Sequence, residues 1–266
     1  MSTYAISDIH GCFDEFRQML DIIGFSETDR LILGGDYIDR GPKNLEMLHW
    51  LERRPDNVIP IRGNHDEEYV ACIDLMWSLD RQNNLDTNPE SNADSAALYE
   101  TAKYLLRRQG KAAAFFDTYG TIGKLLHGSG VTLSDLTVWA GMLRDLPFFV
   151  RMRINSRDCV IVHAGYKENF QSSEEAADFY LYAREEGLRE GGVSHGMVVA
   201  GHTPTVLPNR FTYQHGKVFR YYDAEMDCIF YGIDCGCSLF PRYPEAHLAC
   251  LRLEDGEVFY TRCSGA

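Results

Sequence analysis

Ile32-Leu33-Gly34-Gly35-Asp36-Tyr37-Ile38-Asp39-Arg40-Gly41 is an apolar run that stops in a glycine pair and then presents two carboxylates and a guanidinium. Residues 31–33 read as a buried strand, because a short apolar run bounded by glycine is the pattern of a parallel strand covered on both faces. Asp36 then falls at the strand's carboxyl end, the edge at which open α/β sheets bind ligands. A plainer reading makes Asp36 or Asp39 the cap of a helix entered through Pro42. Four further runs decide between the two. Tyr4-Ala5-Ile6-Ser7-Asp8-Ile9-His10-Gly11, Val58-Ile59-Pro60-Ile61-Arg62-Gly63-Asn64-His65-Asp66, Val160-Ile161-Val162-His163-Ala164-Gly165 and Val198-Val199-Ala200-Gly201-His202-Thr203 also end in Asp, His or Asn with glycine close by. Packing alone gives no reason for a polar group to follow each strand, whereas strands feeding site-lining loops do.

Working outward, residues 13–23 form a helical pattern with Phe13, Phe16, Leu20 and Ile23 on one stripe and Gly24 as its stop. Pro42-Lys43 opens a second helix through Trp50, ending before Pro55. Strand, helix, strand, helix, strand in this order implies right-handed crossovers and a parallel core sheet. Residues 67–120 turn helical with a polar interruption over 80–94, and are expected to form an inserted helical cap near the site. A helix over 133–143 starts at Thr132 or Ser134 and stops at Pro147. Residues 148–154 and 159–162 are expected to pair antiparallel across 155–158, followed by a helix over 174–190 and a strand over 197–200. The tail is β-rich at 218–222, 229–234, 249–253 and 258–262, and Asp255-Gly256 between the last two is a hairpin signal. The expected architecture is α/β, two sheets face to face and flanked by helices, in one domain spanning 1–266.

The formal charge of -13 argues against a nucleic-acid polymer or an anionic membrane as partner, since a basic stripe is the usual footprint of either. An anionic substrate must therefore be held by local positive charge. No apolar run approaches membrane-spanning length, and Met1-Ser2-Thr3-Tyr4-Ala5 enters the first strand without the basic segment and apolar core of a leader. Eight scattered cysteines in a chain of this size read as reduced thiols of a cytoplasmic protein. Cys235-Gly236-Cys237 is the one close pair. It is expected to be two small residues near a strand end, because no second pair is spaced to complete a zinc site.

Asp8 and His10 are two apart, so on a continuing strand their side chains leave one face and converge on one ion. Asp36 is placed to bridge to a second ion, completed by Asn64, His163 and His202. Oxygen and nitrogen donors without thiolate suit manganese, and also iron or zinc. Two such ions about 3.5–4 Å apart clamp phosphate oxygens and acidify a water into a nucleophile. His49, His127, His195, His215 and His247 lack this setting and receive no role.

Asp8-Ile9-His10-Gly11, Gly35-Asp36-Tyr37-Ile38-Asp39-Arg40-Gly41, Gly63-Asn64-His65-Asp66, His163-Ala164-Gly165 and Gly201-His202-Thr203 together resemble the ordered signature of the phosphoprotein phosphatase branch of the calcineurin-like metallophosphoesterases. That resemblance implies a four-layer fold with a central β-sandwich and metals at the strand ends. It implies one divalent ion on Asp8, His10 and Asp36 and another on Asp36, Asn64, His163 and His202. His65 is then the general acid, oriented by Asp39, and Arg40 grips phosphoryl oxygens. The family's second arginine falls on Arg184 in Tyr182-Ala183-Arg184-Glu185, with Arg189 as its competitor. Arg62 supports the loop that follows it, and Asp66 backs the ligands. The tail Gly232-Ile233-Asp234-Cys235-Gly236 resembles bacterial and phage members more than eukaryotic catalytic subunits.

Three readings follow. The first is a phosphomonoesterase acting on phosphoserine or phosphothreonine by direct attack of an ion-activated water, without a covalent enzyme intermediate. The alternative is symmetrical hydrolysis of dinucleoside polyphosphates such as diadenosine tetraphosphate, which the same motifs serve. A non-catalytic module rigidified by its metals is the third. The expected partner is accordingly a phosphorylated protein or a small phosphoester. Oligomeric state carries no sign in the sequence.

Overall fold

The structure is a computed structural model and describes residues 1–108, 116–261 and 263. In chain order the elements are β1 (Thr3–Ile6), α1 (Phe13–Ile22), β2 (Arg30–Leu33), α2 (Asn44–Glu52), β3 (Val58–Pro60), α3 (Asn64–Asn83), α4 (Asn92–Arg108), α5 (Phe116–Gly128), α6 (Leu133–Arg144), β4 (Phe149–Ile154) and β5 (Arg157–Val162). There follow α7 (Ser173–Tyr182), α8 (Glu185–Arg189), β6 (Gly196–Ala200), β7 (Phe219–Asp223), β8 (Cys228–Gly232), a 3-10 turn at Cys237–Leu239, β9 (Ala249–Arg252) and β10 (Val258–Tyr260). Residues 109–115 of the expected insertion and residue 262 of the expected last strand lie outside the described residues.

Two five-stranded mixed sheets form, in the orders β10-β9-β1-β2-β3 and β4-β5-β6-β8-β7. β1, β2 and β3 run parallel in the first, as do β5, β6 and β8 in the second. Alternation along each strand builds the layers. Ala5 and Ile32 from the first sheet meet Cys159, Ile161, Met197 and Val199 from the second in a shared core. Tyr4, Ile6, Leu31 and Leu33 face the other way, onto Phe16 and Met19 of α1 and Met47 and Leu48 of α2. Val160, Val162 and Val198 turn outward onto Tyr180 of α7 and Leu188 of α8. Strands that read as apolar throughout do so because both faces are covered. The result is the four-layer α/β sandwich flanked by helices that the sequence implies.

Four local points matter. On α1 the fully buried pair is Phe16 and Met19, while Leu20 and Ile23 pack only at its margin. The helix expected over 174–190 is broken at Ala183 and Arg184, whose backbone leaves helical geometry at φ -117°, ψ -104°. Small residues pack at the break: a Cβ on Gly165, two residues after His163, would lie 2.8 Å from Ala183 Cβ. β8 ends at Gly232 rather than continuing to Asp234, which leaves Asp234 in the irregular segment that follows. Thr132, not Ser134, caps α6, accepting from Asp135 N. No helix among the described residues is long and apolar enough to cross a membrane.

Candidate functional site

The carboxyl ends of the six parallel strands meet in one place, three contributed by each sheet. Asp8 and His10 follow β1, Asp36 follows β2, Asn64 and His65 follow β3, His163 follows β5, His202 follows β6 and Asp234 follows β8. The expected continuation of β1 does not occur. The strand stops at Ile6, and Asp8 and His10 take left-handed backbone conformations at φ 53° and 46°. Asp36, Asp39, Arg40 and His202 do likewise, at 57°, 75°, 65° and 64°. Positions of this kind cost on the order of 1–3 kcal/mol each and persist only where surrounding contacts over-determine them. Here Asp8 N donates to Gly35 O at 3.1 Å, His10 N to Asp36 O at 2.8 Å and Gly11 N to Tyr37 O at 2.8 Å, lacing the first two loops together. Asp66 ties in the third, accepting from the backbone N–H of Gly63, Asp36 and Tyr37. Gly35, at φ 90°, is obligatory: a Cβ on it would lie 2.5 Å from Gly63 N.

These loops hold a buried row of donor atoms. His10 Nε2 lies 3.4 Å from one Asp36 oxygen, and His163 Nε2 lies 3.5 Å from the other. Asn64 Oδ1 is 2.9 Å from both His163 Nε2 and His202 Nδ1, which are themselves 3.2 Å apart. Backbone carbonyls fix the tautomers. His10 Nδ1–H donates to Ile38 O at 2.8 Å and His163 Nδ1–H to Gly34 O at 2.9 Å, so the bare Nε2 lone pairs face inward. Burial, reinforced by Arg40, pushes the His10 imidazolium down to about 3, against the pull of Asp36. His202 is likewise driven low by burial and by His163 and Arg184. Burial opposes ionisation of Asp36, but the histidines around it hold its carboxyl low.

Imidazole nitrogens, a carboxylate and an amide oxygen therefore converge on one another, an arrangement that a cation resolves and that carbonyl-oriented histidines are known to serve. The described residues contain two such groups, His10 with Asp36 and His65, and Asp36 with His163 and His202, each with donor atoms within 4.8 Å. Divalent ions fit this donor set, with Asp36 shared between the groups. Asp8 is buried beside the row but belongs to neither group; its carboxylate accepts from His202 N at 3.0 and 3.1 Å and from Ser7 Oγ.

Beside the row stands an acid–base pair. His65 Nδ1 and Asp39 Oδ2 are 2.6 Å apart, both buried. Burial alone would lower the His65 imidazolium, but the Asp36 charge and the Asp39 hydrogen bond outweigh it and raise it to about 9. Arg40 Nη1 lies 2.9 Å from His10 Nε2 and its Nη2 lies 2.8 Å from His65 Nε2, a cationic neighbour that opposes protonation of that ring. A guanidinium and an ion cannot both occupy the face of His10 Nε2, so a loaded site needs Arg40 turned outward. His65 was expected apart from the ligands; the structure seats it within the first donor group.

Arg184, freed by the break between α7 and α8, directs Nη1 to His202 O and Thr203 Oγ1, both at 3.4 Å. Arg189 is exposed on α8. Arg62 donates to Leu146 O at 3.2 Å and to Arg144 O, and pairs with Glu67 at 2.7 Å, so it braces the loop rather than facing the row. Three contributors went unread in the sequence. Thr118 of α5 donates to Asp39 Oδ2 at 2.6 Å, so the helical stretch reaches the site. Tyr182 sets its ring edge-to-face against His202 at 6.4 Å. Asp234 is buried, and burial and Asp8 push its carboxyl well above the ordinary range. Thr118 and Tyr182 carry no local signal, but Asp234 ends an apolar run as Asp8 and Asp36 do. His49, His127, His195, His215 and His247 belong to no donor group among the described residues.

Known proteins resemble this chain in sequence and in fold. A symmetrical bis(5'-nucleosyl)-tetraphosphatase of Nitrosospira multiformis is 41% identical over 91 residues, which is 32% of this chain and 33% of that protein. The chain thus spans about a third of the length of that curated relative. A metallophosphoesterase from Sphaerobacter thermophilus shares the fold with a TM-score of 0.50 at 18% identity, covering 100% of this chain and 90% of that one. A serine/threonine phosphatase from Saccharomyces cerevisiae also shares the fold, with a TM-score of 0.50 at 12% identity, covering 100% and 81%. The calcineurin-like phosphoesterase family matches residues 1–206. With that match over most of its length and a buried donor row at the ends of six parallel strands, the chain belongs to the calcineurin-like phosphoesterase family.

Proposed function

We propose that this metallophosphoesterase hydrolyses symmetrical dinucleoside tetraphosphates, the alternative raised by the sequence, in preference to phosphoserine or phosphothreonine in proteins. The similarity to symmetrical bis(5'-nucleosyl)-tetraphosphatases carries the choice. One feature of the site supports it. Arg40 meets the His10 end of the donor row and Arg184 the His202 end. Each opens onto its own recess. One, of about 400 Å³, is lined by Arg40, Lys124, Phe240 and Pro241 among others; the second, of about 230 Å³, by Arg184, Arg210, Asn209 and Phe211. A cation with an aromatic ring on either side of a hydrolytic centre suits a substrate with a phosphate chain in the middle and a nucleoside at each end.

Two divalent ions, manganese in our reading, would be held by Asp8, His10 and Asp36 and by Asp36, Asn64, His163 and His202. When bound they supply positive charge at the phosphoryl oxygens and lower the pKa of water toward neutrality. The chain's own groups do the rest. Arg40, leaving His10 and His65, offers its planar fork to the phosphoryl oxygens. That departure frees His65 Nε2 to take a proton from solvent, which it then gives to the leaving oxygen while Asp39 holds the ring from Nδ1. Arg184 grips the phosphate chain on the other side. Asp66 acts through the backbone of Asp36, keeping its carboxylate on the row. The eight free thiols fit a reducing compartment, in keeping with a cytoplasmic enzyme.

The test compares turnover of diadenosine tetraphosphate and of a phosphothreonine peptide under manganese. The tetraphosphate should be cleaved faster, with ADP as its sole nucleotide product. A faster peptide, or AMP and ATP as products, would overturn the proposal.

A further inference from the structure

Outside the donor row the molecule holds a second cluster of ligand atoms, made of sulfur. Cys237 Sγ lies 3.5 Å from Cys263 Sγ. Cys12 Sγ, Cys237 Sγ and a Glu15 carboxylate oxygen lie within 4.8 Å of one another. All three cysteines and Glu15 line the recess that Arg40 and Lys124 share. The sequence showed only Cys235-Gly236-Cys237 as a pair, with nothing to complete it. In the fold Cys235 takes no part, and Cys237 finds its partners across long stretches of chain, one at the N-terminus of α1 and one beyond β10.

We infer that Cys12, Cys237, Cys263 and Glu15 form a structural site for a thiophilic divalent cation, zinc being the natural occupant. The geometry carries the inference. Tetrahedral zinc with bonds of about 2.3 Å to sulfur sets neighbouring sulfurs about 3.8 Å apart, close to the observed spacing. Cys12, Cys237 and Glu15 already form one group, and Cys263, which adjoins Cys237 but lies more than 4.8 Å from the other two, would close in as the fourth donor that structural zinc sites use. Cys12 and Cys237 are buried while Cys263 and Glu15 are half-buried, so the ion would be enclosed on the protein side and reachable from the recess. No hydrogen bond or ion pair among the described residues engages the Glu15 carboxylate, leaving it available. A disulfide accounts for less, since it would join two sulfurs and strand the third beside them. An ion there would pin the last described residue of the chain to the turn after β8 and to the loop that carries His10.

Cobalt reports on this site alone, because the catalytic row contains no cysteine. The metal-free full-length chain, kept reduced with a phosphine, is titrated with Co²⁺ and read by absorption. A thiolate-to-cobalt charge-transfer band in the near ultraviolet should appear, be displaced by Zn²⁺, weaken in Cys263→Ser and vanish in the Cys237→Ser/Cys263→Ser double variant. Should the double variant not fold, alkylation mapped by mass spectrometry on the unaltered chain gives the same answer: Zn²⁺ should slow modification of Cys263 several-fold. A chain that gives no thiolate band, or whose Cys263 alkylates equally fast with and without Zn²⁺, overturns the site. So does loss of two thiols to a disulfide in metal-free protein that never develops the band.

Discussion

The two ends of the donor row share Asp36 and differ in what crowds them. At the His202 end, Asn64, His163 and His202 offer only lone pairs, and His202 Nε2 is buried with no hydrogen-bond partner among the described residues. At the His10 end the ligand atoms share their space with Arg40 and with the His65–Asp39 pair. On the proposed function the first end would hold an ion, with Arg184 beside it for the phosphate chain. On the same proposal the second would hold an ion and also move a guanidinium and a proton, with His65, Asp39 and Arg40 all supplied by the β2 and β3 loops.

Replacing Asp36, common to both ends, should have the largest effect. Asp36→Asn is expected to take activity to background and weaken ion binding at both ends, whereas His202→Ala should lose one ion and keep the other. Metal content after gel filtration separates the two, and equal losses in both variants would contradict a shared Asp36.

His65→Asn comes next. It should lower kcat by about 10²- to 10⁴-fold, the range of a lost general acid, with both ions retained. Asp39→Asn acts on the same ring less severely. In metal-free protein Asp39 and Asp36 hold the His65 imidazolium above its ordinary value of about 6.5, at about 9. Its pairing therefore stabilises the metal-free fold fully below the ordinary value and fades as pH rises through about 9. Asp39→Asn should move the imidazole titration downward in an NMR pH series; an unmoved titration would detach Asp39 from His65.

The smallest effect concerns the far arginine. Arg184→Ala removes charge-assisted contacts and should raise KM for diadenosine tetraphosphate by about 10- to 100-fold. Arg189→Ala, on an exposed face, should leave KM unchanged, and the reverse result would exchange the two.

How much of this the sequence disclosed depended on locality. Asp8, Asp36, Asn64, His163 and His202 each follow an apolar run, so strand and site were legible together in a few consecutive residues. Alternation on β1, β2, β5 and β6 also gave the layers, since period-2 burial on both faces leaves an unbroken apolar run. What failed to show was set by contacts between distant segments. Gly165 packs from a distant loop against the break at Ala183–Arg184, Thr118 reaches Asp39 from a helix with no motif, and Cys237 meets Cys12 and Cys263 only after folding. The left-handed turns at Asp8 and His10 were hidden for the same reason, because the hydrogen bonds that hold them belong to the next loop.

The central claim is that Asp36 joins two ions. Anomalous diffraction from crystals grown with manganese tests it most directly. The account predicts two peaks, one on each side of the Asp36 carboxylate, within reach of His10 and of His163 with His202. A single peak, or two that do not share Asp36, would contradict it.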